Sequence, residues 1–261
     1  MSEEIVDVYL PPWINDRDGY ILLKYFEKKE YLDQFIDGKI FFNKSDYFVT
    51  CDSKGRGDSS EGNDLIMSTM NPDNISFNME IINGTPILVA RDYSKNPENY
   101  KPSTVFSLSR AKNRSRKLTC FYSAFCNLES GLLDIPGDEH AKDFGPYVAI
   151  IIDRQKFFER IVNAIKVTKG VTEAQLGFVS YVPAEKTHGL FEWSPFKKYD
   201  DYAYQNEFRI TFVDNTTEAR YLEINRLDGI AVPATAEQIK HMKVVDQKIY
   251  YEYEDSVEED G

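Results

Sequence analysis

Three polar residues with a spacing of two, Gln205, Glu207 and Arg209, form the first candidate site in this sequence of 261 residues. Alternate side chains of a β-strand lie on one face, so this spacing predicts a shared face. A neighbouring positive charge favours the ionised form of a carboxylic acid, and Arg209 with a lysine such as Lys24 would supply that charge. A fixed, ionised Glu207 would then stabilise positive charge that develops in a substrate.

Two further segments place polar groups on predicted strands. Lys24 and Tyr25 lie at the end of an apolar strand, just before an amphipathic helix, and Ser123 lies inside another strand. We predict that Lys24 and Glu207 face one pocket from strands of the same sheet region. Four side chains from distant parts of the sequence would then meet in one place, namely Lys24, Ser123, Gln205 and Glu207.

A glycine-rich loop at residues 51–64 (CDSKGRGDSSEGND) carries the last candidates. Glycines beside Arg56 and Asp58 permit backbone angles that other residues resist, so a tight reversal is expected. We predict that Asp58 and Glu61 anchor the loop to the domain while Arg56 projects towards the pocket.

Each of these residues also has a plainer explanation, which the sequence leaves open. Glu207 and Arg209 would form a surface ion pair of little energetic value. Lys24 would extend its charge past the end of its apolar strand into solvent. Ser123 would be a buried, hydrogen-bonded serine, and the loop around Arg56 a simple turn.

Familiar catalytic and metal-binding motifs are absent from the sequence. It contains no G-x-S-x-G, G-x-x-x-x-G-K-[ST], H-E-x-x-H or G-x-G-x-x-G segment. Its three histidines and three cysteines show no spacing that would supply the about four clustered ligands of a zinc site. We therefore expect no metal cofactor.

Charge and composition exclude several functional classes. The net charge of −12 makes generic nucleic-acid binding unlikely, because that affinity comes from lysine and arginine at phosphates. A basic run at residues 110–117 would be a solvated loop, or would receive the phosphates of a dinucleotide or a nucleic-acid end.

The longest apolar run, near Val148–Ile152, is too short to cross a membrane. The odd number of cysteines and the lack of a leader-like start indicate a cytoplasmic protein.

The hydrophobic pattern predicts one α+β domain, with curved, antiparallel-rich sheets and peripheral helices. We expect an N-terminal arm at residues 1–19, the single domain at residues 20–253 and an acidic tail at residues 254–261. No linker rich in proline, glycine or serine divides the chain.

The pair Asn83-Gly84 predicts a hairpin between Ile75–Ile82 and Thr85–Ala90, and residues 127–145 are predicted as a loop. Asp153 is a natural N-cap for the helix that follows it. The other predicted strands are Tyr20–Tyr25, Ile40–Phe42, Leu118–Phe125, Tyr147–Ile152, Phe178–Val182, Phe208–Phe212, Tyr221–Ile224, Ile230–Val232 and Lys248–Tyr253. The predicted helices are Glu27–Asp37, Arg154–Lys166 and Thr235–Met242.

Taken in order, these motifs resemble a prokaryotic and phage family of domains of unknown function, the "DUF-two-nine-seven-one" type. That family has a K-Y strand, a helix, a G-K-I-x-F strand, a D-x-x-E-G loop and a C-F-S-like strand. A G-x-x-[VI]-x-[IF]-D segment and a closing K-x-x-x-W-x-x-E-x-E-[YF]-R signature follow. The matching segments are Lys24–Tyr25, Gly38–Phe42, Asp58–Gly62, Cys120–Ser123, Gly145–Asp153 and the stretch from Lys197 or Lys198 to Arg209, and Leu222–Ile230 resembles the family's L-x-I-G-x-L-x-D-I ending.

The layout is also similar to that of mono-ADP-ribosyltransferases. These enzymes place arginine or histidine on the first strand, where Lys24 stands here, a serine on a middle strand, and a [Q/E]-x-E motif later. The resemblance implies that Glu207 hydrogen-bonds the ribose next to nicotinamide and stabilises an oxocarbenium-like centre as nicotinamide leaves. It also implies that Gln205 orients the acceptor and that lysine or arginine neutralises the pyrophosphate.

Our leading hypothesis is an ADP-ribosyltransferase-like enzyme, or a NAD-cleaving relative, that acts in phage–bacterium conflict as defence or anti-defence. The alternative is a non-enzymatic acidic inhibitor or interaction module with an unidentified protein partner. The enzyme is favoured if the candidate residues converge in one cleft, and the module if they point apart. The catalytic candidates are Glu207 and Gln205, and the candidates for binding NAD or another nucleotide are Lys24, Tyr25, Arg56, Ser123 and Arg209.

Overall fold

The structure is a computed structural model of the chain. It describes residues 2–7, 19–51, 56–58, 60–61, 63, 65–68, 75–82, 85–92, 106–108, 115–127, 130, 132–183, 189–240, 242–245 and 248–253. The predicted acidic tail at residues 254–261, the turn at residues 83–84 and residues 110–114 of the basic run lie outside the described residues.

Strands are the main elements of the described residues, and five α-helices and one 3-10 helix lie among them. The strands are β1 (Ser2–Asp7), β2 (Tyr20–Phe26), β3 (Lys39–Lys44), β4 (Leu65–Ser68), β5 (Ile75–Ile82), β6 (Thr85–Asp92), β7 (Phe106–Leu108), β8 (Arg116–Phe125), β9 (Tyr147–Ile151), β10 (Glu173–Phe178), β11 (Ser180–Val182), β12 (Gly189–Glu192), β13 (Lys197–Tyr199), β14 (Glu207–Val213), β15 (Arg220–Glu223), β16 (Ala231–Thr235), β17 (Lys243–Val245) and β18 (Lys248–Tyr253). The helices are α1 (Lys29–Ile36), α2 (Ser45–Thr50), α3 (Asp138–Phe144), α4 (Arg154–Val167) and α5 (Ala236–Ile239), and the 3-10 helix spans Asp200–Gln205.

One antiparallel sheet holds most of the predicted site residues. Its strand order is β10-β14-β8-β2-β9-β16, and β3 joins it by pairing with both β8 and β15. Every pair in this sheet is antiparallel. Among the described residues, only β11 and β13 pair in parallel. The architecture is therefore α+β with mostly antiparallel sheet and a few helices, as the sequence predicts.

The sheet buries a core on each of its faces. On one face α1 and α4 pack through their apolar stripes, where Phe35 and Phe157 contact the ring of Phe121. The predicted stripe of α4 is confirmed, and that of α1 only in part, because Tyr31, which the pattern places on its buried face, is 44% exposed. A smaller cluster around Leu23 and Ile150 covers the other face. Two buried faces explain why β2 and β9 are almost wholly apolar.

The central strand β8 changes partners along one of its edges. Tyr20–Leu23 of β2 pair with its C-terminal half, from Tyr122 to Phe125. At its N-terminal end, Leu118 and Lys117 pair instead with β3. Within the described residues, neither strand pairs with residues 119–121 on this edge. Beyond Leu23, β2 pairs with β9 alone, so the sheet has a gap at the middle of β8.

Several predicted elements are confirmed with shifted ends. Asp153 caps α4, because its side chain accepts a hydrogen bond from the backbone N–H of Lys156. Strands β5 and β6 pair as the predicted hairpin. Among the described helices, none has the length and apolar character needed to cross a bilayer.

Two predictions about local structure, those for residues 127–145 and for the basic run, are wrong. Residues 127–145 are not all loop, because α3 begins at Asp138. Arg116 and Lys117 of the basic run belong to β8 and are buried. Lys117 is paired with Asp214 at 3.3 Å and is not available to a phosphate. The N-terminal arm contains β1, which pairs with β18.

Gly38 joins α1 to β3 at a close backbone approach. Its φ is +88°, and a Cβ atom there would lie 2.1 Å from the carbonyl oxygen of Asn225. We expect Gly38→Ala to lower the free energy of unfolding by about 1–3 kcal/mol through backbone strain, and further through this clash. Urea unfolding would measure it, with Gly137→Ala as the control because a Cβ there meets no atom within 4 Å. Equal midpoints for the two variants would contradict this account of Gly38.

Candidate functional site

A cavity of about 400 Å³ lies at the gap beside the middle of β8. This volume is within the range of small-molecule sites in proteins. Its wall includes backbone and side chains of β2, β8 and β14, together with α1, α3 and the loop around Arg56. Six of the seven residues that the sequence singled out line it, namely Lys24, Tyr25, Arg56, Gln205, Glu207 and Arg209.

Strand alternation turns Glu207 and Arg209 towards this cavity. Their neighbours Phe208 and Ile210 lie in the core beneath the sheet, so the two charged side chains point to the other face. On β8, Tyr122 lies opposite Glu207 in the strand register. The predicted shared pocket for Lys24 and Glu207 is present in the structure.

Glu207 is the centre of a buried network of charges. Its Oε1 accepts a hydrogen bond from Lys198 Nζ at 2.8 Å, and its Oε2 accepts one from Arg209 Nε at 2.6 Å. Arg209 also forms an ion pair with Glu61 at 2.8 Å. The side chains of Glu207 and Arg209 are 8% and 2% exposed. The surface ion pair that the sequence left open is therefore excluded.

The network keeps Glu207 ionised although it is buried. Burial alone would raise the pKa of the carboxyl group, but Arg209 and Lys198 more than offset this and bring the pKa to about 2. Burial raises the pKa of Glu61, and the charge of Arg209 opposes that shift. The lysine that helps to hold Glu207 ionised is therefore Lys198. Lys24, which the sequence suggested for this role, has other partners.

Gln205 reaches the site by a different route from the one predicted. It ends the 3-10 helix and does not share a strand with Glu207, because Asn206 adopts a left-handed conformation with φ of 40°. Lys198 Nζ nevertheless donates to Gln205 Oε1 at 2.6 Å. One ammonium group thus bridges Gln205 and Glu207 and holds the two side chains together.

Lys24 reaches across the gap to β8. Its Nζ donates to Thr119 Oγ1 at 3.0 Å and to the Cys120 carbonyl oxygen at 2.7 Å. It also lies 5.3 Å from the ring centroid of Phe121. Burial lowers the pKa of Lys24, against the opposing influence of Cys120 and Glu207. The ammonium group is therefore bound inside the sheet, and the prediction that it extends into solvent is wrong.

The glycine-rich loop is anchored as predicted. Asp58 is buried, its backbone N–H donates to the Phe48 carbonyl oxygen, and its Oδ1 accepts from the backbone N–H of Ser60. Glu61 joins the network through Arg209. The hydroxyl of Tyr202 donates to the Gly57 carbonyl oxygen at 2.9 Å. These contacts fix the chain that follows Arg56.

Arg56 lies in the cavity wall near its exposed edge. Its Nη1 pairs with Glu27 at 2.6 Å, and its guanidinium lies 6.0 Å from the ring centroid of Phe144. The Glu27 side chain is 53% exposed, so this pair contributes little to stability. Arg56 is thus placed to bind an anion that enters the cavity.

Ser123 does not belong to the site. It is fully buried, does not line the cavity, and pairs with Leu22 where β2 closes the edge of β8. Its backbone N–H donates to the Asn206 carbonyl oxygen. Within the described residues, its hydroxyl oxygen has no hydrogen-bond partner. Its neighbours Tyr122 and Ala124 face the Glu207 side of the sheet, so alternation turns Ser123 to the opposite face, which explains why the prediction fails.

An aromatic wall beside Glu207 was not predicted as a unit. The ring of His140 lies 4.7 Å from Tyr25, 5.1 Å from Tyr122 and 4.5 Å from Phe144, measured between centroids. Burial lowers the pKa of His140 to about 4, so the imidazole is neutral near pH 7. The sequence signal that could have predicted α3 is its charge pattern, with two acidic residues in the first turn and Lys142 in the last.

No metal site accompanies the cavity in the part of the chain that the structure describes, because no group of three or more histidine, cysteine, aspartate or glutamate residues is suitably placed there. Comparisons of the chain with protein families, curated proteins and solved structures found no match. The function therefore has to be argued from the cavity.

Arg56 provides a test that separates binding from stability. We expect Arg56→Ala to leave the thermal unfolding temperature nearly unchanged, because the pair with Glu27 is solvent-screened. We also expect weaker binding of anionic nucleotides, measured by calorimetry with NAD. Lys29→Ala is the matched control, because Lys29 forms an exposed ion pair with Asp33 outside the cavity. Unchanged binding in Arg56→Ala would show that the loop is only a turn.

Proposed function

We propose that the cavity binds NAD and that the protein cleaves the bond between nicotinamide and ribose, as an ADP-ribosyltransferase-like enzyme or a NAD-cleaving relative. The observation that carries this proposal is the ionised carboxylate of Glu207 in the wall of a small cavity, with its pKa held at about 2. The antiparallel α+β sheet is compatible with an ADP-ribosyltransferase-like fold, which remains part of the proposal.

In this mechanism the electron pair of the breaking C–N bond leaves with nicotinamide, and the ribose carbon becomes positively charged. The Glu207 carboxylate stabilises that charge and hydrogen-bonds a ribose hydroxyl. Such a preorganised charge acts strongly where water is excluded. Water or an acceptor then attacks the ribose carbon and loses a proton to solvent. Gln205, held beside Glu207 by Lys198, orients that nucleophile.

The remainder of the wall supplies complementary surfaces. Tyr25, Tyr122, Phe144 and the neutral ring of His140 form a largely apolar surface for a planar ring. Arg56 supplies positive charge for the pyrophosphate, and Lys24, which is held by Thr119 and the Cys120 carbonyl oxygen, adds to the positive potential inside the cavity. A carboxylate, a ring surface and cations together in one cavity match the chemistry of a nicotinamide nucleotide better than that of an uncharged ligand.

Convergence favours the enzyme over the non-enzymatic interaction module. Lys24, Gln205 and Glu207 line one cavity, although Ser123 does not. A role in phage–bacterium conflict follows from the family resemblance alone and is proposed on that basis. A cytoplasmic location is proposed with it, and Cys51, Cys120 and Cys126, which form no disulfide in the described residues, are compatible with a reducing compartment.

The test is incubation of the pure protein with labelled NAD, with and without a bacterial cell lysate. Label on the lysate components would support transfer, and free ADP-ribose without lysate would support hydrolysis. Parallel samples with Glu159→Asp, an exposed carboxylate on α4 away from the cavity, control for the preparation. Absence of both products would overturn the proposed activity and leave the interaction module.

A further inference from the structure

Four aromatic side chains at the open side of the cavity are exposed. We call them the aromatic rim, and they are Tyr31 (44% exposed), Phe41 (43%), Tyr47 (37%) and Tyr221 (51%). Scattered apolar side chains on a surface need no explanation, but several exposed aromatic side chains in the wall of one cavity indicate a binding surface. The proposed cleavage at Glu207 does not use any of them.

Two members of the rim form a pair across neighbouring strands. Phe41 of β3 lies opposite Tyr221 of β15, and their ring centroids are 5.0 Å apart. Their neighbours Phe42 and Leu222 are buried in the core. Alternation along each strand therefore turns Phe41 and Tyr221 to the face that also carries Glu207.

The strand register gives the length of the site. Arg209 lies opposite Cys120, and the pairing of Asn43 with Leu118 brings Phe41 to the level of Cys120. Arg209, Cys120, Phe41 and Tyr221 are then four successive positions in a row that runs across the strands. Two strand spacings of about 4.8 Å and the wider gap beside Cys120 separate the backbones of Arg209 and Tyr221, which therefore lie more than about 14 Å apart. The site is long, with charged groups at one end and exposed rings at the other.

Positive charge is also present in the wall of this cavity. Arg56 and Lys39 both line it, and Lys39 shares a strand face with Phe41. Arg56 is paired only with the half-exposed Glu27 among its described ionic partners. Phosphate groups would replace that weakly held carboxylate at little cost.

We propose that the aromatic rim binds the second base of a dinucleotide whose first ring lies beside Glu207. The inference rests on the proposed function for the identity of the first ring. The riboses and phosphates of the dinucleotide span the interval that holds Arg56 and Lys39. The second base stacks on Phe41 and Tyr221, an interaction open to any base because each has a flat π-face. A mononucleotide, which has a single base, occupies only the end of the cavity beside Glu207.

Calorimetric binding of NAD and of nicotinamide mononucleotide, which lacks the second base, tests this inference. We expect Phe41→Ala and Tyr221→Ala each to weaken NAD binding about tenfold or more, and to leave mononucleotide binding unchanged. Tyr221→Phe retains the ring and should bind NAD like wild type. Leu176→Ala removes an exposed apolar side chain of β10 outside the cavity and serves as the control.

Equal losses for NAD and the mononucleotide, or no loss for either, would overturn the inference. So would normal NAD binding combined with lost transfer to lysate proteins, because the rim would then bind the acceptor. Rim-dependent NAD binding without turnover would support the inference while the proposed cleavage fails. Turnover combined with NAD binding that does not depend on the rim would support the proposed cleavage and overturn the inference. The two failures are therefore distinguishable.

Discussion

Arg209→Met should lower the free energy of unfolding by about 3–5 kcal/mol, the cost of leaving buried charges without their partner. Arg209 contacts both Glu207 and Glu61, and its own side chain is 2% exposed. Methionine fills similar space but provides no hydrogen bonds, so two buried carboxylates would face one remaining cation, Lys198. Urea unfolding followed by circular dichroism would measure the loss.

Two further variants make this result interpretable even if Arg209→Met does not fold. Arg209→Lys retains the charge but not the fork geometry that reaches two carboxylates, so its stability should be intermediate. Arg226→Met removes a guanidinium whose ion pairs with Asp37 and Asp228 are exposed, and it should unfold like wild type. An Arg209→Met protein as stable as Arg226→Met would contradict the network.

Glu207→Asp should reduce nicotinamide release from NAD by about a hundredfold or more, because even a 1 Å displacement of a positioned group is that costly. The charge, and with it part of the pairing to Arg209 and Lys198, is retained. We therefore expect a folded protein with only a modest loss of stability. The initial rate of nicotinamide release at saturating NAD would measure the effect.

Glu207→Gln is a less suitable variant, although it keeps the size of the side chain and removes only the charge. Its amide would direct an N–H towards Lys198 or Arg209, both of which are donors. Lys198 and Arg209, two buried cations, would also have Glu61 as the one ionised carboxylate left in the network. Because an uncompensated buried charge is costly, Glu207→Gln should lower the unfolding temperature more than Glu207→Asp does. Full activity in Glu207→Asp would contradict a positioned role for the carboxylate.

Local patterns in the sequence predicted the faces of the elements well. The spacing of Glu207 and Arg209 gave their common face, because alternation is a property of the strand itself. The stripe of Phe157 and Ile161 and the cap at Asp153 predicted α4. These signals are local and need no knowledge of which strands are neighbours.

The sequence could not predict the partners that depend on distant pairing. Lys198 meets Glu207 only because the 3-10 helix and the left-handed Asn206 return the chain after β13. Ser123 lies outside the cavity because Tyr122 and Ala124 take the face of β8 that carries Glu207, and which face holds the cavity depends on where β2 leaves β8. That position is a property of the whole sheet, so neither outcome is encoded in a short motif.

The most direct test of the central claim is the release of nicotinamide from NAD by the purified wild-type protein, compared with Glu207→Asp under the same conditions. We predict repeated turnover by wild type and a rate lower by about a hundredfold or more for the folded variant. No release by a folded wild-type protein that is supplied with an acceptor lysate, or equal rates for the two proteins, would contradict the claim that Glu207 is the catalytic carboxylate.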